Sequence, residues 1–211
     1  MYPIHVNLSG KRVIVAGGGL VAYRKIKDLL NEEAILTVIS PAAVNEIQEW
    51  HAEQKLTWIE REVKREDLKE AFLIIAATNS KETNAWIASH AKPKQLVNVA
   101  DQYESGNFIL PSVIRRGRLV LSVSTGGASP SLSKIIKKEL QQTYSEDYET
   151  YLDFLFECRA IIKKEFPEKC RRTLLSNLTD SRFLYDKEKQ NVFKQALINQ
   201  VGQTDRIKTI E

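Results

Sequence analysis

The sequence predicts an α/β protein: a parallel sheet wound with helices, then a β-hairpin, then a small all-helical C-terminal region. Three observations carry that reading. Over the first hundred or so residues, apolar runs of four to six residues alternate with segments of helical spacing. Such alternation builds a parallel sheet with helices on both faces. The first run ends in three consecutive glycines and leads straight into a helical segment. Beyond Asp101 the pattern changes to two β-rich runs around a glycine, followed by helical spacing to the end.

The elements follow in order. Val13-Ile14-Val15-Ala16 reads as a buried strand, Gly17-Gly18-Gly19 as a tight turn, and Val21 to Ile26 as the start of a helix. Ala34–Ile39 is a second strand, stopped at Ser40-Pro41, with a helix expected over 42–54. Leu56–Ile59 gives a short third strand. Phe72–Ala77 is uniformly apolar, as a strand covered on both faces should be. Asn79 with Glu82 three residues later reads as a helix start. Leu96–Ala100 is a further strand, ending at Asp101. Phe108–Ile114 and Leu119–Val123 flank Arg115-Arg116-Gly117-Arg118 as an antiparallel hairpin. Ser129 then caps a helix with Pro130 at its first position, running to about residue 142. From Glu146 the spacing of Tyr148, Leu152, Leu155, Phe156, Ala160 and Ile161 is helical, and Pro167 breaks it. Shorter helices at about 171–177 and 187–199 follow, and 202–211 reads as a frayed tail.

The glycine turn carries the first functional signal. Gly17, Gly19 and Ala22 have the spacing of a dinucleotide-binding turn. Gly17 allows the sharp turn, Gly19 lets a pyrophosphate approach the backbone, and Ala22 keeps the helix tight on the strand. The first helical amides, around Leu20 and Val21, point free N–H groups and the positive end of the helix dipole at the phosphates. A bare βα turn that binds nothing can carry the same glycines. In open α/β sheets, ligands bind beyond the carboxyl ends of the strands. Gly17, Gly18, Gly19, Leu20 and Val21, then Ser40, Pro41 and Ala42, then Thr78 and Asn79, and finally Asp101 all fall at such ends. The acid that usually binds the adenosine ribose is missing where the second strand closes on Val38-Ile39-Ser40. Ser40 and the backbone at Pro41-Ala42 take its place, so these residues do not choose between NAD and NADP.

Composition and charge narrow the class. Hydrophobic residues make up 43% and charged residues 27% of the 211, ordinary for a globular chain. No apolar run is long enough for a membrane span, and the N-terminus lacks the pattern of a signal peptide. Cys158 and Cys170 read as free thiols, and the three histidines have no zinc-ligand spacing. The net charge of +4 is uneven: between Asn107 and Lys138 lie Arg115, Arg116, Arg118, Lys134, Lys137 and Lys138, with no acid. That stretch is either a solvated face or a field for a polyanion. Aromatic residues do not interleave with the basic ones, so nothing supports a nucleic-acid surface.

These blocks together resemble one family. Val15–Lys25, Ala76-Ala77-Thr78-Asn79, Val97–Asp101, Phe108–Ser112 and Leu121–Pro130 are similar, in order, to the precorrin-2 dehydrogenases. These form the first module of sirohaem synthases and also occur as free-standing enzymes. The resemblance covers about residues 1–140, and its last block, Leu121–Pro130, is far more specific than the glycines. It implies a Rossmann NAD-binding domain over 1–112, a dimerisation segment over 113–145 and a helical domain over 146–211. It implies a cytoplasmic homodimer that oxidises precorrin-2 to sirohydrochlorin, passing a hydride to NAD. Asp101 corresponds to the family's essential aspartate and is the candidate catalytic base; capping a turn or orienting substrate is the alternative role. Ser124, Thr125 and Arg116 are candidates for the carboxylates of the tetrapyrrole. Some members also insert iron, so two alternatives accompany the dehydrogenase reading. One is a bifunctional dehydrogenase and ferrochelatase, in place of a separate chelatase as partner. The other is a nucleotide-sensing module without turnover.

Overall fold

The computed structural model describes residues 1–100 and 102–201, so the frayed tail expected over 202–211 lies outside the described residues. The chain divides into two compact units, Met1–Leu110 and Pro111–Glu211.

The first unit is a wound parallel sheet. Its strands are β1 (Arg12–Ala16), β2 (Ile35–Ile39), β3 (Thr57–Ile59), β4 (Leu73–Ala76) and β5 (Leu96–Val99). Their order is β3-β2-β1-β4-β5, and every pairing is parallel. The first-sequence strand is therefore central, with Val15 beside Val38 on one side and Ile75 on the other. Side chains alternate across a strand, so the apolar runs feed two cores. Val13, Val15, Val38 and Ile75 face α1 (Leu20–Leu29) and α2 (Asn45–Ala52), which contribute Ala22, Ile26 and Ile47. Ile14, Ala16, Ile74 and Val99 face the short α3 (Arg65–Leu68) and α4 (Lys81–His90), through Leu68 and Ile87.

Two local expectations change. The second helix begins at Asn45, not at 42, because residues 40–44 wrap the glycine turn and the Val44 amide donates to the Gly18 carbonyl at 2.9 Å. The cap of α4 is Ser80, not Asn79: its hydroxyl accepts from the Thr83 amide at 3.0 Å.

The second unit starts with β6 (Ser112–Arg116) and β7 (Leu119–Val123), antiparallel around the two-residue turn Gly117-Arg118. Pro111 lacks an N–H, and the first strand begins after it rather than at Phe108. α5 (Pro130–Thr143) follows, capped by Ser129 through the Leu132 amide at 3.2 Å. Then come α6 (Asp147–Glu165), α7 (Glu168–Asn177) and α8 (Lys187–Gln200). The buried stripe of α6 is Tyr151, Phe154, Cys158 and Ile162. Phe154, Phe183 and Phe193 pack as a triangle with ring centroids 5.2–6.2 Å apart. Phe156, expected inside, is exposed, with the Arg118 guanidinium 3.7 Å from its ring centre. It sits two residues from Phe154, about 200° around the helix. Cys158 and Cys170 are both free thiols.

Candidate functional site

Three strand ends and one helix start meet around the glycine turn. The Gly17 amide donates to Ile39 of β2 at 2.9 Å, and the Ala77 amide donates to Ala16 of β1 at 2.8 Å. Gly17 has φ +117°, and a Cβ there would overlap the carbonyl of Ala77. That carbonyl closes the turn against β4, so only glycine fits. Gly19 differs: with φ −83° and ψ −174° its backbone is ordinary, yet a Cβ there would meet nothing within 4 Å. It opens onto free space. α1 begins immediately after it, and its first intrahelical bond is from the Tyr23 amide to the Gly19 carbonyl, at 2.9 Å. The amides before Tyr23 have no intrahelical acceptor, and no acidic residue lies in the first turn. The donors, the dipole and the missing Cβ fit the pyrophosphate of a dinucleotide.

The turn floors a cleft of about 980 Å³. Of the residues expected from the sequence, Gly17, Gly18, Gly19, Ser40, Pro41, Ala42, Thr78 and Asn79 line it. The side chains of Leu20 and Val21 are exposed and do not, which leaves them their backbone amides. Ser40 is 4% exposed, and the Trp58 indole N–H donates both to its carbonyl at 3.1 Å and to its hydroxyl at 3.2 Å.

The opposite wall is held by a residue that sequence reasoning missed. Asn84, on α4, is 1% exposed. Its side-chain oxygen accepts from the Thr78 amide at 3.0 Å and the Thr78 hydroxyl at 2.7 Å, and its amide group donates to the Thr78 carbonyl at 3.2 Å. A polar residue on the same helix face as Ile87 was the available signal. Glu82 also lines the cleft. Its own backbone N–H and the Ser80 hydroxyl hold its carboxyl below the usual carboxylate range. Glu62 and Val63, just after β3, and Trp86 of α4 also line the cleft. Among the described residues no lysine or arginine lines the cleft.

Lys25, on the buried side of α1, donates to the Asn98 side-chain oxygen at 3.0 Å, and Asn98 donates to the Phe108 carbonyl at 3.2 Å. Burial lowers the Lys25 ammonium below its usual range, against the pull of Asp28. Asp101, the candidate base, lies outside the described residues.

In the second unit the expected substrate residues separate. Ser124 is exposed, with its hydroxyl accepting from the Gly126 amide at 3.2 Å. Thr125 is engaged within its own loop: its hydroxyl donates to the Ser129 carbonyl and accepts from the Ser129 amide, both at 3.1 Å. That is turn-closing chemistry. Arg116 is also turned inward, donating to the Tyr144 carbonyl at 3.1 Å and pairing with Glu146 at 3.1 Å, with its side chain 14% exposed. Its guanidinium ties the hairpin to the start of α6.

Comparison with known proteins agrees with the geometry. Three family models match: "Putative NAD(P)-binding" over residues 4–112, the central domain of sirohaem biosynthesis proteins over 116–143, and the SirC C-terminal domain over 148–193. The precorrin-2 dehydrogenase of Priestia megaterium is 40% identical over 198 residues, which is 93% of this chain and 98% of that protein. That of Bacillus subtilis (strain 168) is 37% identical over 75% of this chain and 98% of its own. A solved structure titled SirC, precorrin-2 dehydrogenase, superposes with a TM-score of 0.83 at 38% identity, covering 94% of this chain and 100% of that one. Likeness along the whole length of such relatives, in sequence and in fold, places the chain: it belongs to the precorrin-2 dehydrogenase family.

Proposed function

We propose that the chain oxidises precorrin-2 to sirohydrochlorin, in the cytoplasm and as a homodimer. The observation that carries the reaction is the glycine-floored cleft at the carboxyl edge of the sheet, in a chain 40% identical to a precorrin-2 dehydrogenase along 93% of its own length and 98% of that protein's. NAD, when bound, supplies the hydride acceptor. The amides at the start of α1 hold the pyrophosphate, and the Ser40–Ala42 wall and Glu62 flank the adenosine half. The Thr78–Asn84 bonds fix the opposite wall, so the reacting half meets a rigid surface. Oxidation removes a hydride and a proton from the tetrapyrrole, and Asp101, which follows Ala100 in the sequence, accepts the proton. Ser124 offers its hydroxyl to a substrate carboxylate. Thr125 shapes that loop, and Lys134, Lys137 and Lys138 of α5 supply the attracting field, since Arg116 is paired with Glu146 and Arg118 with Asp153.

Two features support assembly. A two-stranded hairpin is marginal alone, and Leu132 and Ile135, one turn apart on α5, are 46% and 56% exposed. Sedimentation at micromolar concentration should give twice the 24.1 kDa chain mass, and a clean monomer would overturn the dimer. Among the described residues no helix is long and apolar enough to cross a membrane. The reaction is tested by adding precorrin-2 and NAD to the protein without oxygen. NADH and sirohydrochlorin should form in equal amounts, and absence of either would overturn the proposal.

A further inference from the structure

We propose that Glu62 sets a preference for NAD over NADP, acting from the loop after β3 in place of an acid at the end of β2. The inference rests on the dinucleotide reading of the cleft. In folds of this kind a carboxylate near the adenosine ribose binds its hydroxyls and repels a 2′-phosphate. At the end of β2 this chain has Ser40, nearly fully buried, with its hydroxyl accepting from Trp58 and lying where a Cβ on Gly18 would reach. A carboxylate in that position would be desolvated. The neighbouring strand provides the alternative. β3 pairs with β2 through Ile39 and Ile59, and the Ser40 amide donates to the Ile59 carbonyl at 3.2 Å. Glu62 follows three residues later and lines the same wall as Ser40, Pro41 and Ala42.

The loop that carries Glu62 is fixed from both sides. The Arg61 amide donates to Ile59 at 2.9 Å, and the Arg61 guanidinium donates to the Glu62 carbonyl, also at 2.9 Å. The same guanidinium grips Asp67 with two bonds of 2.8 and 2.7 Å, while Asp67 accepts from the Lys64 amide at 2.7 Å. The backbone is thus tied down, whereas the Glu62 carboxylate makes no hydrogen bond or ion pair among the described residues. Arg61, the neighbouring cation, does not line the cleft and is closed off by the two-point pair with Asp67. A 2′-phosphate would therefore meet a free carboxylate and no lining cation. A 2′-hydroxyl would meet an acceptor.

Equilibrium binding of NADH and NADPH to the full chain, read by calorimetry, tests this. The wild type should bind NADH more tightly. Glu62→Gln, which keeps the size and removes the charge, should narrow the ratio of the two dissociation constants about tenfold, mainly by tightening NADPH. Glu62→Lys should narrow or invert it further. Glu60→Gln removes the same charge two residues earlier, outside the cleft lining, and should leave the ratio unchanged. Glu62 is exposed, so melting temperatures should stay at the wild-type value. A ratio unmoved by both Glu62 variants, or moved equally by Glu60→Gln, would overturn the assignment while leaving the cleft a dinucleotide site. Failure of the wild type to bind either dinucleotide would instead overturn the reading of the cleft, and this proposal with it.

Discussion

Replacing Gly17 or Gly19 by alanine adds the same methyl two residues apart, and the two variants should fail in different ways. At Gly17 the backbone has φ +117°, where an L-residue costs about 1–3 kcal/mol. The new Cβ would also press on the Ala77 carbonyl, whose carbon would be only 2.6 Å away. Relief requires β4 to move from β1, where Val13–Ala16 pair with Leu73–Ala76. A total near 3 kcal/mol follows, which lowers the melting temperature of a chain this size by about 6–12 °C. At Gly19 the backbone suits any residue, and nothing lies within 4 Å of the added atom. Stability should change by less than about 1 kcal/mol. The methyl occupies the side from which the pyrophosphate must approach. Losing one charge-assisted bond there weakens NAD binding about 10–100-fold. Trp86 lines the cleft, so its fluorescence can report the titration, beside a thermal melt of each variant. A Gly19→Ala protein that binds NAD as well as wild type would refute the reasoning about the turn, as would a Gly17→Ala protein with an unchanged melt.

Further outcomes are expected. Asp101→Asn should lower turnover by about 10²–10⁴-fold with cofactor affinity nearly unchanged, and turnover within about threefold of wild type in steady-state kinetics would remove Asp101 as the base. Asn84→Ala leaves the Thr78 amide and hydroxyl without their shared acceptor and should destabilise the chain by about 1–3 kcal/mol in urea unfolding. Asn84→Asp, which keeps both acceptances, should recover part of the loss, and equal loss in the two would refute the clamp. Burial pushes the Cys158 thiol up to about 11 from its ordinary 9.0. A raised native value means that the contribution is intact below about 9 and is lost as pH rises through about 11. A disulfide reagent at pH 8 should therefore label Cys170 first and reach Cys158 only on unfolding. Equal labelling rates would contradict the burial.

Where the apolar pattern is unbroken, the sequence is a good guide to the fold. Val13–Ala16 and Phe72–Ala77 read as strands covered on both faces because both cores of the sheet are fed by the same runs. The three glycines stood out because only glycine fits at Gly17, and Ser129-Pro130 marked a helix start by its capping chemistry. The remainder depends on tertiary partners. Asn79 and Ser80 are equally good caps by type, and only the path of the backbone puts the Ser80 hydroxyl on the Thr83 amide. Arg116 looks like a ligand for carboxylates until Tyr144 and Glu146, some 30 residues later, are found on its guanidinium. Phe156 keeps helical spacing with one apolar set, while the buried stripe is the other. Glu62 lies in a turn with no periodicity at all. Its place in the cleft follows from β3 pairing with β2, a neighbour relation that no local pattern encodes.

In the proposed reaction one cleft, at the carboxyl edge of β1, β2 and β4, holds the dinucleotide that takes part in the oxidation. A crystal structure with NAD bound tests it most directly. The pyrophosphate should lie over Gly19 on the first amides of α1, with the adenosine along Ser40, Pro41 and Glu62 and the nicotinamide running toward the ends of β4 and β5. A dinucleotide bound away from the glycine turn, or with its adenosine on the Thr78–Asn79 side, would contradict the account.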